Sequence, residues 1–236
     1  MTLKNAIIIA GGRGTRLNEK TEEIPKPLIK VGGVPLIERI LLWLKKNGVE
    51  NVFIGVDYKK EMIKNYLGNG TAFGMNIIYT ENNLESNKKK GTEYAFKPAV
   101  EKASELADNF YAMNGDQITD LQLEGLTNAH IKTGAIATMV TINLKTNFGV
   151  VEVKNNKVIN FQEKGKVSNT LMNSGIYVFN KKIKDYLVDG NIEEKTFKKL
   201  AKEGKLYSFF YDGEWVTVND KKQLDEVEKS LNKNEN

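Results

Sequence analysis

Short apolar runs punctuate the first half of the chain: "NAIIIA" (5–10), "NVFIGV" (51–56), "MNIIYT" (75–80), "FYAMN" (110–114) and "AIATMVTINL" (135–144). Continuous runs of this length predict strands buried on both faces. Between them the period lengthens. Ile37, Ile40, Leu41 and Leu44 fall on one face of a helix that Gly48 stops. "YKKEMIKNYL" and "YAFKPAVEKASELA" predict two further helices, the second carrying Pro98 as an early break or kink. Strand alternating with helix argues for an α/β fold: a largely parallel sheet with helices on both faces.

The second half changes character. "FGVVEV", "KVINFQ", "SGIYVFN" and "KLYSFFY" read as strands, and "VKNNKV" carries a hairpin turn. "NIEEKTFKKLAKEG" predicts a helix ending at Gly204. A last helix is expected from about Asp220 to Leu231, burying Leu224, Val227 and Leu231. No internal repeat and no linker is visible, so a single domain over 1–236 is expected.

Composition narrows the chemistry. The chain has 236 residues, enough to bury a substantial core. No apolar run reaches membrane-span length and no signal pattern opens the sequence, so a cytoplasmic protein without a membrane partner is expected. Cysteine is absent, which excludes disulfides, thiolate metal sites and cysteine nucleophiles. The single histidine, His130, is expected at a helix end on the surface, outside any chemistry. The net charge of +5 suits polyanionic partners, among them phosphorylated small molecules. Its lysines are spread along the chain and no basic stripe interleaves with aromatics, so no nucleic-acid partner is expected. The run "KKK" at 88–90 reads as part of a solvated loop or, alternatively, as a mobile phosphate contact.

The most informative stretch is "AGGRGTRLNEKTEEIPKPL", residues 10–28, directly after the first strand. A dinucleotide fingerprint would place a third glycine where Leu17 stands, and a P-loop would end in Lys-Ser/Thr; neither holds. Pro25 and Pro27 bar a continuous helix, so the segment is a long ordered loop, a kind that is usually functional. Gly11, Gly12 and Gly14 allow backbone N–H groups to point at an anion. Arg13 and Arg16 add cations, Arg16 with a planar fork for phosphate oxygens. Lys26 sits between two prolines that stiffen the backbone aiming its ammonium.

These residues resemble the sugar-1-phosphate nucleotidylyltransferases, also called NDP-sugar pyrophosphorylases, in a short form without a β-helix domain. The family signature G-G-x-G-T-R-L followed by P-K-P-[LM] stands here as "GGRGTRL" (11–17) and "PKPL" (25–28). "VGGVPLIERIL", "NGDQITD", "FGVVEV", "FQEKG", "MNSGIYVF", "KLAKEGKLY" and "DGEWVTVND" resemble further family blocks in family order. The resemblance implies a Rossmann-like nucleotidyltransferase fold with a smaller substrate-binding β layer. It implies a nucleotide-binding part over about 1–115 and an acceptor-binding part over about 116–236. It also implies transfer of a nucleoside monophosphate from an NTP to a sugar 1-phosphate, with release of pyrophosphate and use of Mg²⁺. A homodimer is a further implied possibility.

By the same resemblance Arg16, Lys26 and Asp116 are the catalytic residues. Arg16 would hold the leaving pyrophosphate, Lys26 the α-phosphate, and Asp116 the Mg²⁺. Ala10, Gly11, Gly12, Gly14, Thr15 and Thr92 would bind the nucleotide, with Glu81 reading the base. A carboxylate there accepts hydrogen bonds from amino groups, which guanine and cytosine carry, so GTP or CTP is the expected nucleotide. Lys164 would grip the acceptor phosphate, while Glu163, Asn173 and the backbone at Gly149 would hold acceptor hydroxyls. Asp120 reads as a helix N-cap.

Three positions depart from the family pattern. "KGTEYAF" (90–96) places Glu93 and Tyr94 where small residues are usual, and "EKG" (163–165) replaces E-K-P. "WVTVND" puts Thr217 where the family has a second metal carboxylate. Asp212 and Glu214 are candidate substitutes, whereas the spacing of "DKKQ" makes Asp220 the cap of the last helix. These departures leave a second reading open: a degenerate member that binds nucleotide sugars as a regulatory subunit.

Overall fold

The computed structural model describes residues 2–12, 14, 23–81, 92–146, 149–163, 165–188 and 190–234. The first four apolar runs are the strands β1 (Asn5–Ile9), β4 (Asn51–Gly55), β5 (Asn76–Thr80) and β6 (Asn109–Asn114), and the fifth falls in a strand described below. Between β1 and β4 lies a short ribbon of β2 (Lys30–Val31) and β3 (Val34–Pro35), which the pattern reading passed over. Gly32 and Gly33, at φ 55° and 78°, make its turn. The intervening helices are α1 (Leu36–Lys46), α2 (Lys60–Leu67) and α3 (Thr92–Leu106). Pro98 lies inside α3 and does not end it. A proline removes one N–H bond, while Phe96, Ala99, Val100 and Ala103 around it are fully buried, holding the helix on the sheet.

The rest of the chain supplies β7 (Gln117–Thr119), α4 (Leu123–Thr133), β8 (Ala137–Thr146), β9 (Val150–Lys154), β10 (Lys157–Gln162) and β11 (Gly165–Asn180). After these come α5 (Thr196–Lys202), β12 (Leu206–Phe210), β13 (Trp215–Thr217) and α6 (Lys221–Asn234). Helix α5 is shorter than expected. Residues 192–195 are turns, because fully buried Ile192 anchors the chain before the helix begins.

Seven strands form the main sheet in the order β12-β8-β11-β6-β1-β4-β5. β1 is parallel to β4 and β6, and β4 to β5. The long strand β11 runs antiparallel between β6 and β8, and β12 returns parallel to β8. Mostly parallel pairing with buried faces is the α/β arrangement expected from the alternation. The two faces divide the core by strand period. Ala6, Ile8, Tyr111, Met113, Ile176 and Val178 pack on one side, whereas Ile7, Phe110, Ala112, Tyr177 and Phe179 pack on the other.

His130 corrects the sequence reading. It lies in the last turn of α4, near the expected helix end, but is only 2% exposed. Nδ1 meets the Thr138 hydroxyl at 2.8 Å and Nε2 meets Asn109 Oδ1 at 3.1 Å, tying the helix to β8 and β6. Burial depresses its pKa to about 4, so the ring is neutral near pH 7. Asp120 caps no helix. Its Oδ1 accepts from the Tyr211 hydroxyl and from the backbone N–H of Glu214 at 3.0 Å. The first N–H of α4 is met instead by Asn47 Oδ1 at 2.8 Å. Asp220 does cap the last helix, accepting from the Gln223 N–H at 2.8 Å.

Candidate active site

The first candidate residues lie at the C-terminal end of β1. Ala10 closes β1 and donates its N–H to Gly55 O at 2.8 Å. Gly11 passes over the end of β4 so closely that a Cβ there would stand 3.0 Å from Asp57 Cβ. Gly12 faces open space, and Gly14 takes a left-handed φ of 63°. This is a backbone free to turn N–H groups outward where a ligand approaches. Arg13, Thr15 and Arg16 lie outside the described residues.

The loop returns to the sheet through Lys26. A 3-10 turn over Lys26–Leu28 follows Pro25, and Pro27 is buried, so both prolines fix the backbone that presents Lys26. Its Nζ donates to Asp116 Oδ2 at 2.7 Å and to Asn219 Oδ1 at 2.9 Å. The pair is largely sequestered, with the Lys26 side chain 12% and Asp116 23% exposed. Asn219 Nδ2 in turn donates to the Thr217 hydroxyl at 3.0 Å. One lysine thus joins its own segment to two distant ones.

Asp116 is placed by the residue before it. The Gly115 N–H donates to Ile9 O at 2.9 Å, and a Cβ on Gly115 would lie 2.7 Å from that same oxygen. Only glycine lets β6 end this close to β1. Beyond Asp116, β7 pairs with β13, setting Gln117 opposite Thr217, and the Val218 N–H donates to Asp116 O at 3.0 Å. Asn219 was not among the residues singled out from the sequence. The signal for it was adjacent, in the block "WVTVND" where the missing carboxylate drew attention to Thr217.

The other candidates lie on further elements of the fold. Glu81 directly follows β5, and Lys60 and Lys64 of α2 each hold one of its oxygens at 2.5 Å. Hydrogen bonds from Lys60 and then Lys64 lower its pKa, so it is ionised at neutral pH. Thr92 opens α3. Asn173 lies on β11, where the register shifts before Tyr177. Its Nδ2 donates to the Tyr177 hydroxyl at 2.8 Å, and its Oδ1 accepts from the Gly175 N–H at 2.9 Å. Gly175 holds a left-handed φ of 79° against Gln117 and Asn114, a position closed to any side chain. Gly149 and Glu163 meet at the base of the β9–β10 hairpin. A Cβ on Gly149 would stand 3.1 Å from Glu163 Oε2. Lys164 lies outside the described residues.

As for a metal, no cluster of three or more His, Asp or Glu side chains occurs among the described residues. Asp116, the Asn219 carbonyl and the Thr217 hydroxyl are all oxygen donors, the type that magnesium takes. One carboxylate with the remaining positions left to phosphate and water is a common Mg²⁺ arrangement. Asp212 and Glu214 line a cavity of about 830 Å³ that Thr217 also lines.

Comparison with known proteins follows the same outline. The family model described as "Nucleotidyl transferase" matches residues 5–233. A UTP–glucose-1-phosphate uridylyltransferase of Synechocystis is 33% identical over 230 residues, covering 90% of this chain and 59% of that protein. The chain therefore spans little more than half the length of this relative. A probable glucose-1-phosphate cytidylyltransferase of Bacillus subtilis is 30% identical, with 96% of both chains covered. Among solved structures, a putative glucose-1-phosphate thymidylyltransferase from Bacillus anthracis superposes with a TM-score of 0.73 at 22% identity, covering 96% of this chain and 94% of that one. The match over nearly the whole sequence, with the glycine loop and the Lys26–Asp116 cluster at the strand ends, makes this chain a member of the nucleotidyl transferase family.

Proposed function

We propose that the protein transfers a nucleoside monophosphate from an NTP to a sugar 1-phosphate and releases pyrophosphate. The observation that carries this reading is Lys26, held at 2.7 Å from Asp116 and 2.9 Å from Asn219. The acceptor phosphate is mostly dianionic near pH 7, its second pKa being about 6. It attacks the α-phosphorus in line and needs no general base. That suits a chain without cysteine whose single histidine is buried and bonded at both ring nitrogens. The remaining barrier is repulsion between polyanions, so catalysis is positioning and charge neutralisation.

In this reading Lys26 neutralises the α-phosphate and Arg16 the departing pyrophosphate. Ala10, Gly11, Gly12, Gly14, Thr15 and Thr92 hold the nucleotide. Lys164 holds the acceptor phosphate, and Glu163, Asn173 and the Gly149 backbone hold its hydroxyls. Asp116 would hold Mg²⁺, which would supply positive charge against the phosphates. Asn219 keeps Lys26 aimed while Asp116 serves the metal. Glu81, ionised by its two lysines, accepts from an exocyclic amine and favours CTP or GTP over UTP or dTTP. The names of the relatives span several bases, so this preference rests on Glu81 alone.

The experiment measures pyrophosphate release across a grid of nucleotides and sugar 1-phosphates, with and without Mg²⁺. Turnover with at least one CTP or GTP pair, lost on chelation, is expected. No turnover with any pair would overturn the reaction, and a clear preference for UTP or dTTP would overturn the role of Glu81.

A further inference from the structure

Glu81 is held more firmly than charge balance requires. Lys60 Nζ donates to its Oε2 and Lys64 Nζ to its Oε1, each at 2.5 Å. The two lysines stand four residues apart on one face of α2. Lys59, just before the helix, takes a left-handed φ of 49°, a conformation uncommon outside glycine, and this turn starts α2 at Lys60. Lys64 Nζ also meets Glu61 Oε1 at 3.4 Å and stands 6.0 Å from the centre of the Tyr79 ring. The Tyr79 hydroxyl donates to Gly68 O at 2.6 Å, just beyond the end of the same helix. Side-chain exposures of 41% for Lys60, 27% for Lys64 and 33% for Glu81 make this a surface network. Ion pairs of that kind contribute little to stability. One lysine would neutralise the carboxylate; the second fixes its orientation, because both oxygens are then pinned.

The sheet sets where this carboxylate stands. β1, β4 and β5 pair in parallel, Ile9 with Gly55 and Gly55 with Thr80. The Ala10 N–H donates to Gly55 O at 2.8 Å, and the Val56 N–H to Thr80 O at 3.0 Å. The next residues, Ala10, Val56 and Glu81, therefore form one row across the strand ends. Two strand spacings, about 10 Å, separate Glu81 from the start of the glycine loop.

A carboxylate offers about four acceptor positions, two on each oxygen. Among the described residues Glu81 accepts from Lys60 and Lys64 alone, once on each oxygen. One position on each oxygen is left, which suits a partner with two adjacent donors. Guanine has such an edge, a ring N–H beside an exocyclic amine. Cytosine and adenine set a bare ring nitrogen, an acceptor, beside the amine. Uracil and thymine flank one N–H with two carbonyl oxygens. Each of these four bases brings a lone pair against a negatively charged oxygen, and such a repulsive contact discriminates as strongly as an attractive one. A carboxylate free to rotate could offer cytosine one oxygen and turn the other aside. One held by two lysines cannot.

We propose that Lys60 and Lys64 are positioning residues that fix both oxygens of Glu81 for guanine, so that GTP and not CTP is the nucleotide. The proposal rests on Glu81 facing the base in the reaction described above, and sharpens that reading.

Binding separates the base preference from the reaction. Calorimetric titration of the full chain with GTP, CTP, UTP, dTTP and ATP, in Mg²⁺ and without acceptor, should give GTP an affinity at least tenfold above each of the others. Lys60→Met with Lys64→Met should lower GTP affinity at least tenfold and leave CTP affinity within about twofold, so that the preference collapses. Glu81→Gln replaces one acceptor with a donor, an edge that matches cytosine, and should lower GTP affinity at least tenfold relative to CTP. Selective GTP binding that both variants abolish, without pyrophosphate release from any pair, upholds the proposal and overturns the reaction. Turnover in which CTP equals or exceeds GTP, or a lysine variant that keeps the wild-type ratio of GTP to CTP, overturns the proposal and leaves the reaction standing. Equal loss of GTP and CTP binding in both variants also overturns the proposal. Failure of the wild type to bind any of the five nucleotides overturns both.

Discussion

Lys26 and Asp116 are bound to each other at 2.7 Å before any substrate arrives. A lysine so held has little freedom left to lose when a phosphate takes its place beside it. Asp116→Asn keeps the shape and the bond to Lys26 while removing the charge. In the proposed reaction this variant loses at least a hundredfold in kcat at saturating Mg²⁺; full activity would remove Asp116 from the metal. Thr217→Asp tests the position opposite Gln117 from the other direction. If a second carboxylate strengthens the site, the Mg²⁺ concentration for half-maximal rate falls about tenfold. An unchanged Mg²⁺ dependence would show that one carboxylate suffices. Both candidates were legible from short motifs, because residue type and spacing carry their chemistry. Asn219 was not, since an amide two residues past Thr217 gains meaning only when Lys26, 193 positions away, lies against it.

At the scale of elements, glycines decide how closely strand ends approach. Gly115→Ala would force a Cβ to within 2.7 Å of a backbone oxygen on β1. Overpacking of this kind costs about 1–3 kcal/mol, measurable by urea denaturation, and it displaces the neighbouring Asp116. A fall in kcat of at least tenfold should accompany the loss of stability. Unchanged turnover would mean that the strand end adjusts without moving the carboxylate. Strand and helix positions in the first half were legible because apolar runs and the 3.6-residue period survive any tertiary context. The β2–β3 ribbon was not, since two-residue strands carry no period. The cap at Asp120 failed for another reason. Its carboxylate was claimed by Tyr211 and Glu214, residues 91 and 94 positions away.

At the scale of the molecule, His130 couples stability to pH. Its pKa falls from 6.5 to about 4 through burial, so the folded state binds fewer protons than the unfolded chain in that window. Stability is therefore fully present above pH 6.5 and declines as pH falls toward 4. The drop is about 3 kcal/mol at 1.36 kcal/mol per pKa unit. Carboxylates titrate over part of the same range, so the measurement is the difference between wild type and His130→Gln, followed by denaturant midpoints from pH 7 to 4. The variant should lack this component; parallel curves would refute it. The sequence by itself determined the alternation that makes an α/β sheet, the loop that cannot be a helix, and the charged residues available to a phosphate. These follow from local sterics, period and residue chemistry. Only the tertiary structure decided that His130 is buried and that Asn219 completes the Lys26–Asp116 cluster. Each of these depends on contacts between segments far apart in the chain, and such contacts are fixed by packing of the whole sheet rather than by any local pattern.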